Sequence, residues 1–130
     1  MKRRLFSTVL LAATLLPAGA LAGEVIAHDS IDLTPDEIRD VFLGERQLVG
    51  NIKLVPADNS AAQAQFLSRV LQTDGPKYYA RWTKKTFREG LPAPAVKGSD
   101  AEVIAFVKAT PGAIGYVSGT TTGVKVLHKF

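Results

Sequence analysis

The sequence predicts an α/β fold built on a short, largely parallel sheet flanked by helices. Three observations carry this. Apolar runs of strand length alternate with segments of helical period along the chain. Two helix starts carry the capping pattern of a hydroxyl residue followed three positions later by glutamate, at Thr34–Glu37 and Ser99–Glu102. A Pro-Gly turn then leads into the apolar run Ala113–Val117, as expected where a helix returns the chain to a sheet.

Taken in order, Val25-Ile26-Ala27-His28 reads as a buried strand. Leu33-Thr34-Pro35-Asp36-Glu37 opens a helix: Thr34 caps it, Pro35 suits its first position, and Leu33 can staple onto Ile38. Ile38, Val41 and Phe42 form its apolar face, and Gly44 ends it. Ile52–Val55 is the second strand, followed by the polar loop Asp58-Asn59-Ser60 and a helix over Ala61–Leu71. Its core face is Phe66, Leu67, Val70 and Leu71. Asp74-Gly75-Pro76 starts a third helix from about Lys77 to Thr86, with Tyr78 and Trp82 on one face and Lys77, Arg81, Lys84, Lys85 and Arg88 around the rest. Aromatics at this spacing read first as core. Gly90–Gly98, with two prolines, reads as an extended loop. The helix capped by Ser99 carries Val103, Ile104, Phe106 and Val107. Ala113–Val117 is the third strand; a Gly/Thr turn then leads to Val124–Leu127, expected to pair antiparallel with its neighbour as a hairpin.

The first 22 residues read as a leader rather than as part of the fold. Met1-Lys2-Arg3-Arg4 is basic, Leu5–Leu16 is apolar, and Ala20-Leu21-Ala22 is a small-x-small cleavage site. The apolar run falls short of the roughly 20 residues a membrane span needs. Cleavage near Ala22 leaves Gly23–Phe130 as one exported, periplasmic domain with no transmembrane helix. With no cysteine in the chain, there is no lipid attachment site, no disulfide, no thiol catalysis and no thiolate metal site. The formal charge of +4 comes largely from the leader; without Lys2, Arg3 and Arg4 the basic residues barely exceed the 12 acidic ones. That balance argues against a nucleic-acid binder.

Chemistry has one natural place. Ligands of open α/β sheets collect at the carboxyl ends of strands, and a helix start offers free N–H groups and partial positive charge. The segment Asp58-Asn59-Ser60-Ala61-Ala62 has both features. The Ser60 hydroxyl and the N–H groups of Ala61, Ala62 and Gln63 would donate, small side chains would let an anion approach, and Asp58 would accept from a protonated oxyanion. The same residues also read as an ordinary N-cap, and no glycine-rich phosphate loop with a lysine accompanies them.

Several segments together resemble the periplasmic phosphate-binding proteins of ABC transporters. Leu33-Thr34-Pro35-Asp36-Glu37-Ile38-Arg39-Asp40-Val41-Phe42-Leu43-Gly44 is similar to that family's L-(S/T)-x-x-E-(L/I)-x-x-I-F-x-G segment. Pro111-Gly112-Ala113-Ile114-Gly115-Tyr116-Val117 matches its P-G-A-I-G-Y-V segment residue for residue. Val55–Phe66 lies where the family has R-x-x-x-S-G-T-x-x-x-F, its phosphate-gripping loop; Ser60 and Phe66 are kept, Ala61 and Ala62 stand for the Gly and Thr, and Pro56-Ala57 replaces the arginine neighbourhood. The resemblance implies a single periplasmic-binding-protein-like lobe, the later of the family's two, taking phosphate or another small oxyanion at Asp58, Asn59, Ser60, Ala61 and Ala62 without a cofactor. Half a cleft implies help from a second copy, as a homodimer, or from another envelope protein. An interaction module that keeps the lobe as scaffold, docking through the groove or the Lys77–Arg88 helix, is the alternative.

An enzyme is not expected. Ser60, His28 and Asp58 can be drawn as a triad, but no G-x-S-x-G elbow surrounds Ser60. His28 and His128, with Asp29 and Asp32, lack the spacing of a metal site. Gly112 and Gly115 read as backbone requirements: a positive φ after Pro111, and close packing within the strand.

Overall fold

The computed structural model describes residues 22–130; the leader expected over the residues before them lies outside the described residues. The sheet has five strands: β1 (Glu24–Ala27), β4 (Val55–Asn59), β5 (Ala95–Lys97), β6 (Ala113–Val117) and β7 (Lys125–Lys129), in the order β5-β4-β6-β1-β7. β2 (Leu48–Val49) and β3 (Ile52–Lys53) form a separate small hairpin. The helices are α1 (Pro35–Phe42), α2 (Gln63–Phe66), α3 (Gly75–Glu89) and α4 (Asp100–Ala109). α2 runs on through a wider turn, Leu67–Leu71, that ends at Gln72 in the left-handed region, φ 55°. β4 is parallel to both β5 and β6, while β1 is antiparallel to both β6 and β7. All strands but β1 therefore run the same way in a mixed sheet.

The alternation of side chains along the strands divides the core. Val25, Ala27, Ile114 and Tyr116 face the layer built from α1, α2 and α3, while Ile26, Ala113 and Val117 face α4. Phe42, Phe66 and Tyr116 meet at the centre of the larger layer, with the Phe66 and Tyr116 rings stacked at 3.8 Å. The expected starts form. Thr34 accepts from the Glu37 amide while Glu37 accepts from the Thr34 amide. Ser99 accepts from the Glu102 amide, but Glu102 reaches back to Gly98 rather than to Ser99 itself. Tyr78 and Trp82 are buried, as are Phe66, Leu67, Val70 and Leu71.

Three expectations are corrected. Ile52–Val55 is not one strand: Ile52–Lys53 turns back on Leu48–Val49, and β4 begins only at Val55. The chain over Gly90–Gly98 is not all loop, since Ala95–Lys97 adds an edge strand to β4. β6 and β7 make no hairpin. β7 is antiparallel to its neighbour, but that neighbour is β1, inserted between them. Glu24, buried at the start of β1, accepts from the Thr121 amide and hydroxyl and so ties the connecting turn across β1.

Candidate functional site

The strand β4 carries the segment expected to bind an anion, and the pleat sends its residues in different directions. Asp58 and Asn59 lie inside the strand and are buried; Ser60 and Ala61 are exposed; Ala62 is buried. The Asp58 carboxylate accepts from the Tyr116 hydroxyl at 2.8 Å and the Tyr78 hydroxyl at 2.9 Å. Burial pushes its pKa up to about 6, against the opposing pull of the two hydrogen bonds. Burial, and then the neighbouring carboxylate, raise both tyrosines as well.

Asn59 is a connector. Its amide nitrogen donates to Asp100 Oδ1 at 2.8 Å and to the Tyr116 carbonyl at 3.0 Å. Its side-chain oxygen accepts from the Ala61 amide at 3.0 Å, and its carbonyl accepts from the Ala62 amide at 3.1 Å. The two N–H groups nominated at Ala61 and Ala62 are thus engaged within the turn. Asp100, at the start of α4, accepts from the Ser118 hydroxyl at 2.6 Å and the Ser118 amide at 3.1 Å. Partial burial works against its charge, but the bonds from Ser118 and Asn59 prevail and hold its carboxyl below the usual range. A carboxylate of the chain itself therefore sits between the carboxyl ends of β4 and β6, where an open α/β sheet places its ligands.

What stays open is the start of α2. Its N-cap is Ala62, and no side chain caps it among the described residues. The ordinary-cap reading of Asp58, Asn59 and Ser60 is thereby replaced: Asp58 serves the tyrosines, Asn59 the turn, and Ser60 stands exposed beside an uncapped helix start. Gln63, the first helical residue, has a buried side-chain nitrogen without a hydrogen-bond partner. Nothing in the local residue pattern marks Tyr78 and Tyr116 as partners of Asp58, or Asp100 as the bridge. An aspartate two residues past a proline within an apolar run was the only signal for the first.

The triad drawing does not assemble. The His28 amide donates to the carbonyl of Ala113, at the start of β6, and its ring meets Ser30 at 3.1 Å. Ser60 follows the end of β4, which is parallel to β6, so the two lie at opposite ends of the strands. No group of three or more His, Asp or Glu residues is placed to hold a metal ion among the described residues, and none of their helices is long and apolar enough to cross a membrane. On α3, Arg81 and Lys85 both reach Glu45, at 2.7 and 3.1 Å; Lys84 and Arg88 remain on the solvent side with Tyr79 and Phe87.

An ABC-type phosphate transport receptor from Vibrio cholerae superposes with a TM-score of 0.53 over 82% of this chain, at 12% sequence identity. The fold is a single periplasmic-binding-protein-like lobe. This chain spans only 45% of the receptor's length. No family model matches the sequence, and no curated protein matches it.

Proposed function

We propose that the chain is an exported, periplasmic binding lobe, freed of its leader near Ala22, that takes phosphate or a related small oxyanion at the start of α2. The observation that carries this is the uncapped helix start beside the exposed Ser60, at the carboxyl end of β4, in a fold shared with a phosphate transport receptor. Within the nominated segment the work is divided. Ser60 and the α2 amides beyond Ala62 meet the anion. Asp58, Asn59, Ala61 and Ala62 hold that corner in shape. One lobe covers one side of an anion, so the opposite side comes from a second copy or another envelope protein, and affinity is modest. No step requires a cofactor or a catalytic group.

Calorimetric and thermal-shift titration of the protein with phosphate and sulfate tests the reading, because a ligand that binds only the folded state raises its stability. Millimolar phosphate should raise the unfolding midpoint. Ser60→Asp, which sets a negative charge at the helix start, should remove that rise without lowering the midpoint in the absence of phosphate. No rise in the unsubstituted protein rejects it.

A second reading has its own observation. α3 leaves Phe87 91% exposed and Tyr79 56% exposed, and the engaged amides of Ala61 and Ala62 suit a lobe kept as a scaffold. In that case α3 docks an envelope protein. Phe87→Ser with Arg88→Ser should then abolish co-purification of that protein while Ser60→Asp leaves it intact.

A further inference from the structure

A cleft of about 380 Å³ opens beside the start of β4, between the end of α1, the β2–β3 hairpin and the proline-rich chain before β5. Its size falls within the roughly 300–1,000 Å³ of small-molecule sites. It is separate from the helix start at Ser60, which lies beyond the other end of β4, roughly 16 Å along the strand.

Three features of the cleft point to one ligand chemistry. Its walls are apolar and aromatic, with Leu54, Trp82, Leu91 and Phe106 among them. Its charged residues are Arg46 and Lys53, and no acidic side chain lines it. Arg46 spends one terminal nitrogen on Glu37 at 3.4 Å, while its Nε is buried without a hydrogen-bond partner. A buried donor left unsatisfied is costly, and the group that best satisfies a guanidinium is a carboxylate.

We propose that this cleft binds a small amphiphilic carboxylate, its apolar body among Leu54, Trp82, Leu91 and Phe106 and its head at Arg46 and Lys53. The apolar body supplies the driving force through its removal from water. The cationic pair supplies the sign preference: a neutral analogue loses the head contact, and a cationic one meets two like charges.

Trp82 is the only tryptophan in the chain, so its emission reports on this cleft directly. The titration uses octanoate, octanol and octylamine with the purified protein. Octanoate should change the emission saturably, octanol should bind at least about tenfold more weakly, and octylamine should produce no saturable change. Arg46→Gln should weaken octanoate about tenfold while leaving octanol unchanged. Lys53→Glu, a substitution at an exposed position, should weaken octanoate and admit octylamine; it keeps the test decisive if Arg46→Gln perturbs folding. Octanol binding as tightly as octanoate, equal responses to octanoate and octylamine, or an unchanged octanoate affinity in Lys53→Glu would each overturn the proposal. Phosphate binding at Ser60 is read separately, and its failure leaves this result untouched.

Discussion

The buried carboxyl of Asp58 accepts from two tyrosine hydroxyls and joins no ion pair among the described residues, and its folded pKa of about 6 lies above the ordinary carboxylate value. That ordering fixes the sign of its pH dependence. Below the unfolded pKa, both states carry the proton and nothing is lost. As the pH rises toward about 6 the unfolded chain releases the proton first, and stability falls. Above about 6 the whole penalty stands, about 3 kcal/mol. Asp58→Asn should keep the fold, since a tyrosine hydroxyl can accept as well as donate. It should also flatten the urea-denaturation free energy between about pH 4 and pH 7; a profile as steep as the parent's would refute this. Replacing both tyrosines is the harsher change, because each fills core volume as well as donating. The sequence showed Asp58 as a residue of a polar loop before a helix, whereas it lies buried inside β4, and nothing local pointed to its partners. Tyr78 and Tyr116 sit 20 and 58 positions away along the chain, and only the packing of α3 over the sheet brings them together.

At the scale of the elements, local chemistry was legible wherever it is local. Thr34 and Ser99 cap their helices as the spacing of hydroxyl and glutamate implied, and Thr34→Ala should cost about 1 kcal/mol in chemical denaturation. The glycines of the Pro-Gly-Ala-Ile-Gly run were legible too. Gly112 adopts φ 82°, and a side chain there would run into the Lys53 carbonyl. Gly115 faces α4, where an added Cβ would lie 2.7 Å from Val103 Cγ1. Gly115→Ala should therefore destabilise by about 1–3 kcal/mol through overpacking. Gly112→Ala should do worse, since backbone strain of about 1–3 kcal/mol adds to the collision. Equal losses in thermal unfolding would contradict that order. Sequence failed at the strand boundaries. Ile52–Val55 looks continuous because Lys53 is the only polar residue in it, yet the hairpin and β4 part at Leu54. β5 escaped notice because two prolines precede three residues whose partner, β4, is distant in sequence.

For the whole molecule, fold class was readable because helix and strand patterns alternate, whereas strand order was not, because pairing is a non-local fact. The connection from β6 to β7 is short enough for a hairpin, but β1 occupies the place between them, with Glu24 pinning the turn that passes over it. The Gly23 and Phe130 backbones exchange hydrogen bonds at 2.9 Å in both directions, and the Phe130 ring is buried. Deleting residues 125–130 should therefore remove more than an edge strand. It strips one side of β1 and uncovers part of the larger core, so hydrogen exchange in β1 and β6 should rise together rather than in β1 alone.

The place of β1 also sets a timetable. A polypeptide emerges from its amino end, yet both strands that flank β1, namely β6 and β7, come after every helix of the described residues. Nothing made in between pairs with the backbone of β1, so its edges stay bare until β6 and β7 are made. Such non-local closure is slow, which leaves the growing chain loose until those two strands arrive. A product broken off early would present two bare β-edges and be an easy target for proteolysis.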